Sequence, residues 1–131
     1  TGLFTSRAPA EAADATPLLD QAMLDDLRRS LPPASLTEIF ADLHVKTDEL
    51  IAGIHTAWQA RNAHDLAEQA HNLRGMAGNF GLQMISTLAE RIERAAKRDL
   101  DDALAADIAR LQPVWQSTRA ALDAKTNSKD K

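Results

Sequence analysis

His71-Asn72-Leu73-Arg74-Gly75-Met76-Ala77-Gly78-Asn79-Phe80-Gly81-Leu82 sets one histidine inside a helical pattern, with a cation three residues on and glycines four and seven residues on. Helix interiors avoid glycine, because each costs about 1 kcal/mol relative to alanine. Two glycines on the histidine's own face describe a surface stripped of side chains, open to the approach of something large. The apolar residues show which way that face points. Leu66, Ala70, Leu73, Ala77 and Phe80 recur at helical spacing and mark a buried stripe. At about 100° per residue, His71 stands about 140° from the centre of that stripe and belongs in solvent.

Around this stretch the whole chain reads as helix. No segment alternates with period two, and aromatics are only 4%, so strands lack both their pattern and their favoured residues. A short helix is expected over about Asp20 to Ser30, ended by Pro32-Pro33. Ser35 and Glu38 form a capping-box pattern that opens a long second helix to about Ala60. A third starts near Asn62 to Asp65, carries His71 and closes at Asn79-Phe80-Gly81. A fourth covers about Leu82 to Arg98. The fifth, capped by Asp99, Asp101 or Asp102, reaches about Leu122, with a kink expected at Pro113. Short connections make consecutive helices antiparallel. The expected fold is all-α: an antiparallel up-down four-helix bundle with a short extra N-terminal helix. Residues 1–17 read as a linker or tail, 18–124 as the domain and 125–131 as a polar, fraying tail.

Composition removes several functions. The 131 residues contain no cysteine, so disulfides and thiolate metal sites are excluded. The net charge of −4, with both signs scattered, argues against nucleic-acid binding, which needs a basic face. No apolar run approaches the roughly 18–20 residues of a membrane span, so direct membrane contact by this segment is not expected. The chain begins with Thr1 and has no secretory signal, which reads as a processed or excised piece of a cytoplasmic protein, whose parent could be membrane-anchored. There is no nucleotide-binding loop, so the chain is not a kinase by itself.

Helical geometry lists the patch around His71. His64 lies two turns before it, and Ala67 and Glu68 one turn before. Arg74 and Gly75 lie one turn after, and Gly78 two turns after. An exposed imidazole is largely neutral at pH 7 and keeps a free ring nitrogen. A guanidinium can bind phosphate oxygens through two parallel hydrogen bonds. No serine or acid within this helix is placed to build a hydrolytic triad. His64 and His71 are two turns apart, about 10 Å at 1.5 Å per residue, too far to share one ion, and no metal site is expected. His44 and His55 read as surface or flank residues, Trp58 and Trp115 as packing, and the charged run from Glu90 to Arg98 as a solvated face.

The stretch resembles the histidine phosphotransfer domains of two-component phosphorelays. Their signature, A-H-x-L-K-G followed by further glycines and a helix ending in Leu/Ile-Glu, appears here as Ala70-His71-Asn72-Leu73-Arg74-Gly75, Gly78-Asn79-Phe80-Gly81 and Ile92-Glu93. The resemblance is specific over about Asp65 to Glu93. It implies that His71 accepts a phosphoryl group on its outer nitrogen. Arg74, in place of the usual Lys, would steady the phosphoryl oxygens, and Glu93 would orient the ring through its other nitrogen. His64, Ala67, Glu68, Gly75 and Gly78 would meet the partner. The implied partners are receiver domains, which would bring their own Mg²⁺, while this chain needs no cofactor. The resemblance suggests the C-terminal module of a hybrid sensor histidine kinase. The alternative is an unphosphorylated helical-bundle adaptor for a receiver or another signalling protein.

Overall fold

The computed structural model describes residues 16–128. They form α1 (Gln21–Ser30), α2 (Pro33–Gln59), α3 (Ala63–Asn79), α4 (Gln83–Ala96) and α5 (Asp102–Ser128), with no strand among them. The fold is the expected four-helix bundle, α2 to α5, with a short helix in front. The linker assigned to residues 1–17 and the end of the tail at 125–131 fall largely outside the described residues.

The helix boundaries follow from local chemistry. Asp20 caps α1 by accepting from the Met23 amide at 3.2 Å, and Arg28 and Arg29 complement the dipole in the last turn. The second helix begins earlier than the capping-box pattern implied. Pro33 occupies its first position and no side chain caps it, so Ser35 and Glu38 lie inside the helix. Proline starts helices well because its φ is preset and its missing N–H is one that the first turn leaves unpaired anyway. The same helix ends in a Schellman turn: the Arg61 amide donates to Trp58 O and the Asn62 amide to Ala57 O, with Arg61 at φ 55°. Asn62 then caps α3 by accepting from the Asp65 amide at 3.0 Å. One short corner thus reverses the chain.

Gly81 makes the next corner. Its φ is +75°, and the Leu82 amide reaches back to Ala77 O at 2.9 Å. The N-terminal segment is laced over this corner. The Asp20 amide donates to Gly81 O, and Leu18 O accepts from Gln83 and Met84, supplying the start of α4 with acceptors that no side chain provides.

Asp101 is the residue that caps α5, accepting from the Leu104 amide at 2.9 Å. This helix runs past Pro113 as one element and continues beyond Leu122 to Ser128. Beyond Leu122, the last residue of the apolar pattern, Lys125 pairs with Asp25 of α1 at 3.2 Å.

The core is the apolar seam between the helices. Leu66, Ala70, Leu73 and Ala77 of α3 are fully buried, as are Ile85, Leu88, Ala89 and Ile92 of α4. These two helices are the most closely paired in the bundle. Polar ties fix the flanks. Arg91 donates two hydrogen bonds, both 3.1 Å, to Asp107, joining α4 to α5. The buried Trp115 indole donates to Asp48 at 2.6 Å, joining α5 to α2. Trp58 is only half-buried, under the Arg61 guanidinium.

A contrast between two glycines tests this account. A Cβ on Gly81 would meet Asp20 O and Leu24 Cγ at 3.4 Å in a left-handed backbone, whereas one on Gly75 would meet nothing within 4 Å. Gly81→Ala should destabilise by about 1–2 kcal/mol. Gly75→Ala should stabilise by about 0.5–1 kcal/mol. Chemical denaturation of the two variants checks both signs.

Candidate functional site

His71 leaves α3 on the face opposite the buried stripe, and its side chain is 58% exposed. Across from it, Glu93 stands one residue beyond the fully buried Ile92 on α4 and is itself only 8% exposed. The helix pairing brings the two together: His71 Nδ1 lies 3.0 Å from Glu93 Oε2. Arg74, one turn on from His71, donates from Nε to Glu93 Oε1 at 3.0 Å, and its terminal nitrogen lies 3.1 Å from His71 Nδ1. Lys97, one turn on from Glu93, donates to Glu93 Oε2 at 3.3 Å.

This geometry constrains the protons. Burial is the strongest influence on the Glu93 carboxyl and acts to raise its pKa. Hydrogen bonds from Arg74, Lys97 and His71 outweigh it, so the pKa is lowered from its ordinary 4.5. Glu93 is therefore an anion at neutral pH and accepts only. Its neighbour Nδ1 must then carry hydrogen, which leaves the lone pair on Nε2. In that tautomer the Arg74 terminal nitrogen beside Nδ1 makes a close contact without a hydrogen bond, since both groups are donors. The guanidinium remains held by Glu93.

The remaining positions form the surroundings. His64, Ala67, Glu68, His71, Glu93 and Lys97 line an open groove of about 390 Å³. Gly75 and Gly78 are exposed on the same helix. A Cβ on Gly78 would meet only Ser86 Oγ, at an ordinary 3.7 Å. Gly78 also borders a smaller polar recess of about 160 Å³ with Asp20, Ser86, Thr87 and Glu90. The sequence-derived residues thus divide into a bonded trio, His71, Arg74 and Glu93, and a rim of His64, Ala67, Glu68, Gly75 and Gly78. Lys97, which sequence reading placed in a solvated run, belongs with the trio. Its spacing of four from Glu93 on α4 was the available signal.

His64, Asp65 and Glu68 are the metal-type group present among the described residues, with ligand atoms within 4.8 Å of one another. All three are exposed, and such groups are common without an ion. His44, expected on a surface or flank, is largely buried, edge-on to Trp115 at 5.6 Å between ring centroids. No helix among the described residues is long and apolar enough to cross a membrane.

Comparison with known proteins places the same stretch in context. The family model for the Hpt domain matches residues 38–125. The crystal structure of histidine-containing phosphotransfer protein B (HptB) from Pseudomonas aeruginosa PAO1 superposes with a TM-score of 0.78 at 20% identity, covering 86% of this chain and 96% of that one. The HPT domain of an Hpt sensor hybrid histidine kinase from Shewanella gives a TM-score of 0.66 at 20% identity, covering 85% of this chain and 95% of that one. Among proteins with curated descriptions, none matches this chain in sequence.

The lowered pKa of Glu93 has a sign that can be measured. A carboxyl held below its unfolded value stabilises the fold above that value, and the contribution disappears as pH falls through the folded pKa. Wild type should therefore exceed Glu93→Gln in stability at pH 7, and the gap should close as pH drops below about 4.5. Urea titrations of both proteins from pH 3 to 7 follow the gap. A difference constant over that range would mean that Glu93 does not act as a charge.

Proposed function

We infer the role of this site from the premise that the chain belongs to the Hpt domain family, the histidine phosphotransfer modules of two-component phosphorelays. His71 is the phosphoacceptor. It takes a phosphoryl group from the aspartyl phosphate of one receiver domain and passes it to the aspartate of another. The observation that carries this reading is the 3.0 Å contact between Nδ1 and the anionic Glu93, which leaves Nε2 as the exposed nucleophile.

The step balances without a proton acceptor. The Nε2 lone pair attacks phosphorus in line as the bond from phosphorus to the aspartyl oxygen breaks, and the carboxylate leaves with that electron pair. The imidazole keeps its Nδ1 hydrogen and becomes cationic. Glu93 faces that new charge at hydrogen-bond distance, so the site is electrostatically prepared for the phosphorylated ring. The reverse step returns the phosphoryl group to a carboxylate. Arg74 adds positive charge from the Nδ1 side and holds Glu93 in register. Mg²⁺ at the phosphoryl group is the receiver's contribution.

The partner approaches over His64, Ala67 and Glu68 on one side of His71 and over Gly75 and Gly78 on the other. Open space above Gly75 favours close contact between the two backbones. We assign the module to a hybrid sensor histidine kinase, the kind of protein from which the Shewanella domain comes.

Incubation with a phosphorylated receiver tests this function, with acid-labile label on the chain as the readout. Wild type should acquire label and His71→Gln should not, with its circular dichroism unchanged. Label that persists in His71→Gln defeats the assignment of His71. A wild type that binds receiver but takes no label identifies an adaptor instead. In the same assay Gly75→Gln should slow transfer at least tenfold, because a long side chain stands where the partner must approach. Its thermal stability should be equal or higher, as helix propensity improves.

A further inference from the structure

We propose that Lys97 is the cation that contacts the phosphoryl group on His71, while Arg74 stays on Glu93 as a positioning residue. The proposal rests on the reading of His71 as phosphoacceptor. Three observations carry it. First, Lys97 lines the open groove at His71, together with His64, Ala67 and Glu68. Second, Arg74 is anchored through Nε to Glu93, and its nearer terminal nitrogen lies against Nδ1, the ring edge away from the nucleophilic nitrogen. Third, Lys97 is loosely held. Its side chain is 63% exposed, against 38% for Arg74, and its contact to Glu93 at 3.3 Å falls on an oxygen that His71 already serves.

The chemistry of the two cations matches this division. A guanidinium is a planar fork suited to fixing a carboxylate, and here its Nε anchors Glu93 beside the ring. An ammonium is a compact charge on a flexible stem with three rotatable donors, suited to following oxygens that arrive and depart. When the phosphoryl group lands on Nε2, its doubly charged oxygens compete with Glu93 for Lys97. Glu93 tolerates the loss because His71 and Arg74 still donate to it. Lys97 therefore moves between two anions across one groove, and its attraction to the phosphoryl group opposes hydrolysis of the new N–P bond.

Potassium phosphoramidate is the probe, because it phosphorylates imidazole directly and needs no receiver. The imidazole nitrogen displaces ammonia from phosphorus, and the product is followed by phosphorus NMR. The signal absent from His71→Gln is assigned to phospho-His71. In Lys97→Ala its lifetime should shorten roughly three- to tenfold, the effect of losing one solvent-screened, charge-assisted hydrogen bond. The midpoint of its titration should rise, since a departing cation makes protonation easier. This midpoint should move more in the phosphorylated protein than that of the His71 ring in the unmodified protein, measured on the same variant. Lys97→Arg should restore most of both effects, and Lys97→Gln neither. Equal midpoint shifts with and without the phosphoryl group would show that Lys97 acts only through Glu93 and would overturn the proposal. So would wild-type lifetime in Lys97→Ala. Failure of phosphoramidate to give any His71-dependent signal would overturn the phosphoacceptor reading itself. Labelling by phosphoramidate but never by a receiver would reject receiver transfer while leaving the result for Lys97 standing.

Discussion

The packing of α3 against α4 is the constraint on which the rest of this molecule depends. Leu66 and Leu73 on one helix, and Ile85, Leu88 and Ile92 on the other, are fully buried. Each is worth about 1.5–3 kcal/mol in removed apolar surface. Ala70, Ala77 and Ala89 occupy the same seam, and their small size lets the backbones approach. That seam sets the rotation and register of both helices. Once these are set, the residue after Ala70 and the residue after Ile92 are placed at its solvent edge, facing one another. The contact between His71 and Glu93 is a consequence of the apolar packing beneath it.

Glu93 shows how a buried charge can serve geometry. Desolvation opposes its ionisation, and an unpaired buried carboxylate would be costly. Three donors offset that cost, one each from Arg74, Lys97 and His71. The carboxylate is thereby held from both helices, and its charge dictates which imidazole nitrogen carries hydrogen. Elsewhere on α4, paired hydrogen bonds from Arg91 to Asp107 fasten the helix to α5. The reacting ring is thus the exposed end of a well-supported arrangement.

The glycines of one short stretch do unlike work. Gly81 adopts a left-handed backbone and accepts the N-terminal segment against it, so it is a requirement of the fold. Gly75 sits in ordinary helix with empty space where a Cβ would go, so the fold has no need of it. Helical stability is given up at Gly75, and the benefit falls on the surface. A smooth face beside an exposed nucleophile is the arrangement an approaching protein requires.

Sequence periodicity alone determined the helices, the buried stripe and the exposure of His71, because each is a local property of spacing and polarity. It also delimited Gly75 as a surface residue, since glycine inside a helical pattern has a local cost that needs a reason. Helix starts were less legible. Ser35 and Glu38 match a capping box, yet Pro33 begins the helix, because proline's fixed φ acts before any side-chain cap is needed. The extension of α5 to Ser128 was hidden too, since the contact seen past Leu122 is an ion pair between Lys125 and Asp25 of another helix. At the site, the resemblance pointed to Glu93, but only tertiary structure decided that its carboxylate is buried, that Arg74 is bound to it and that Lys97 lines the groove. Those facts depend on the distance between side chains of two helices. One helix's spacing carries no information about which of its neighbour's residues stands across the seam.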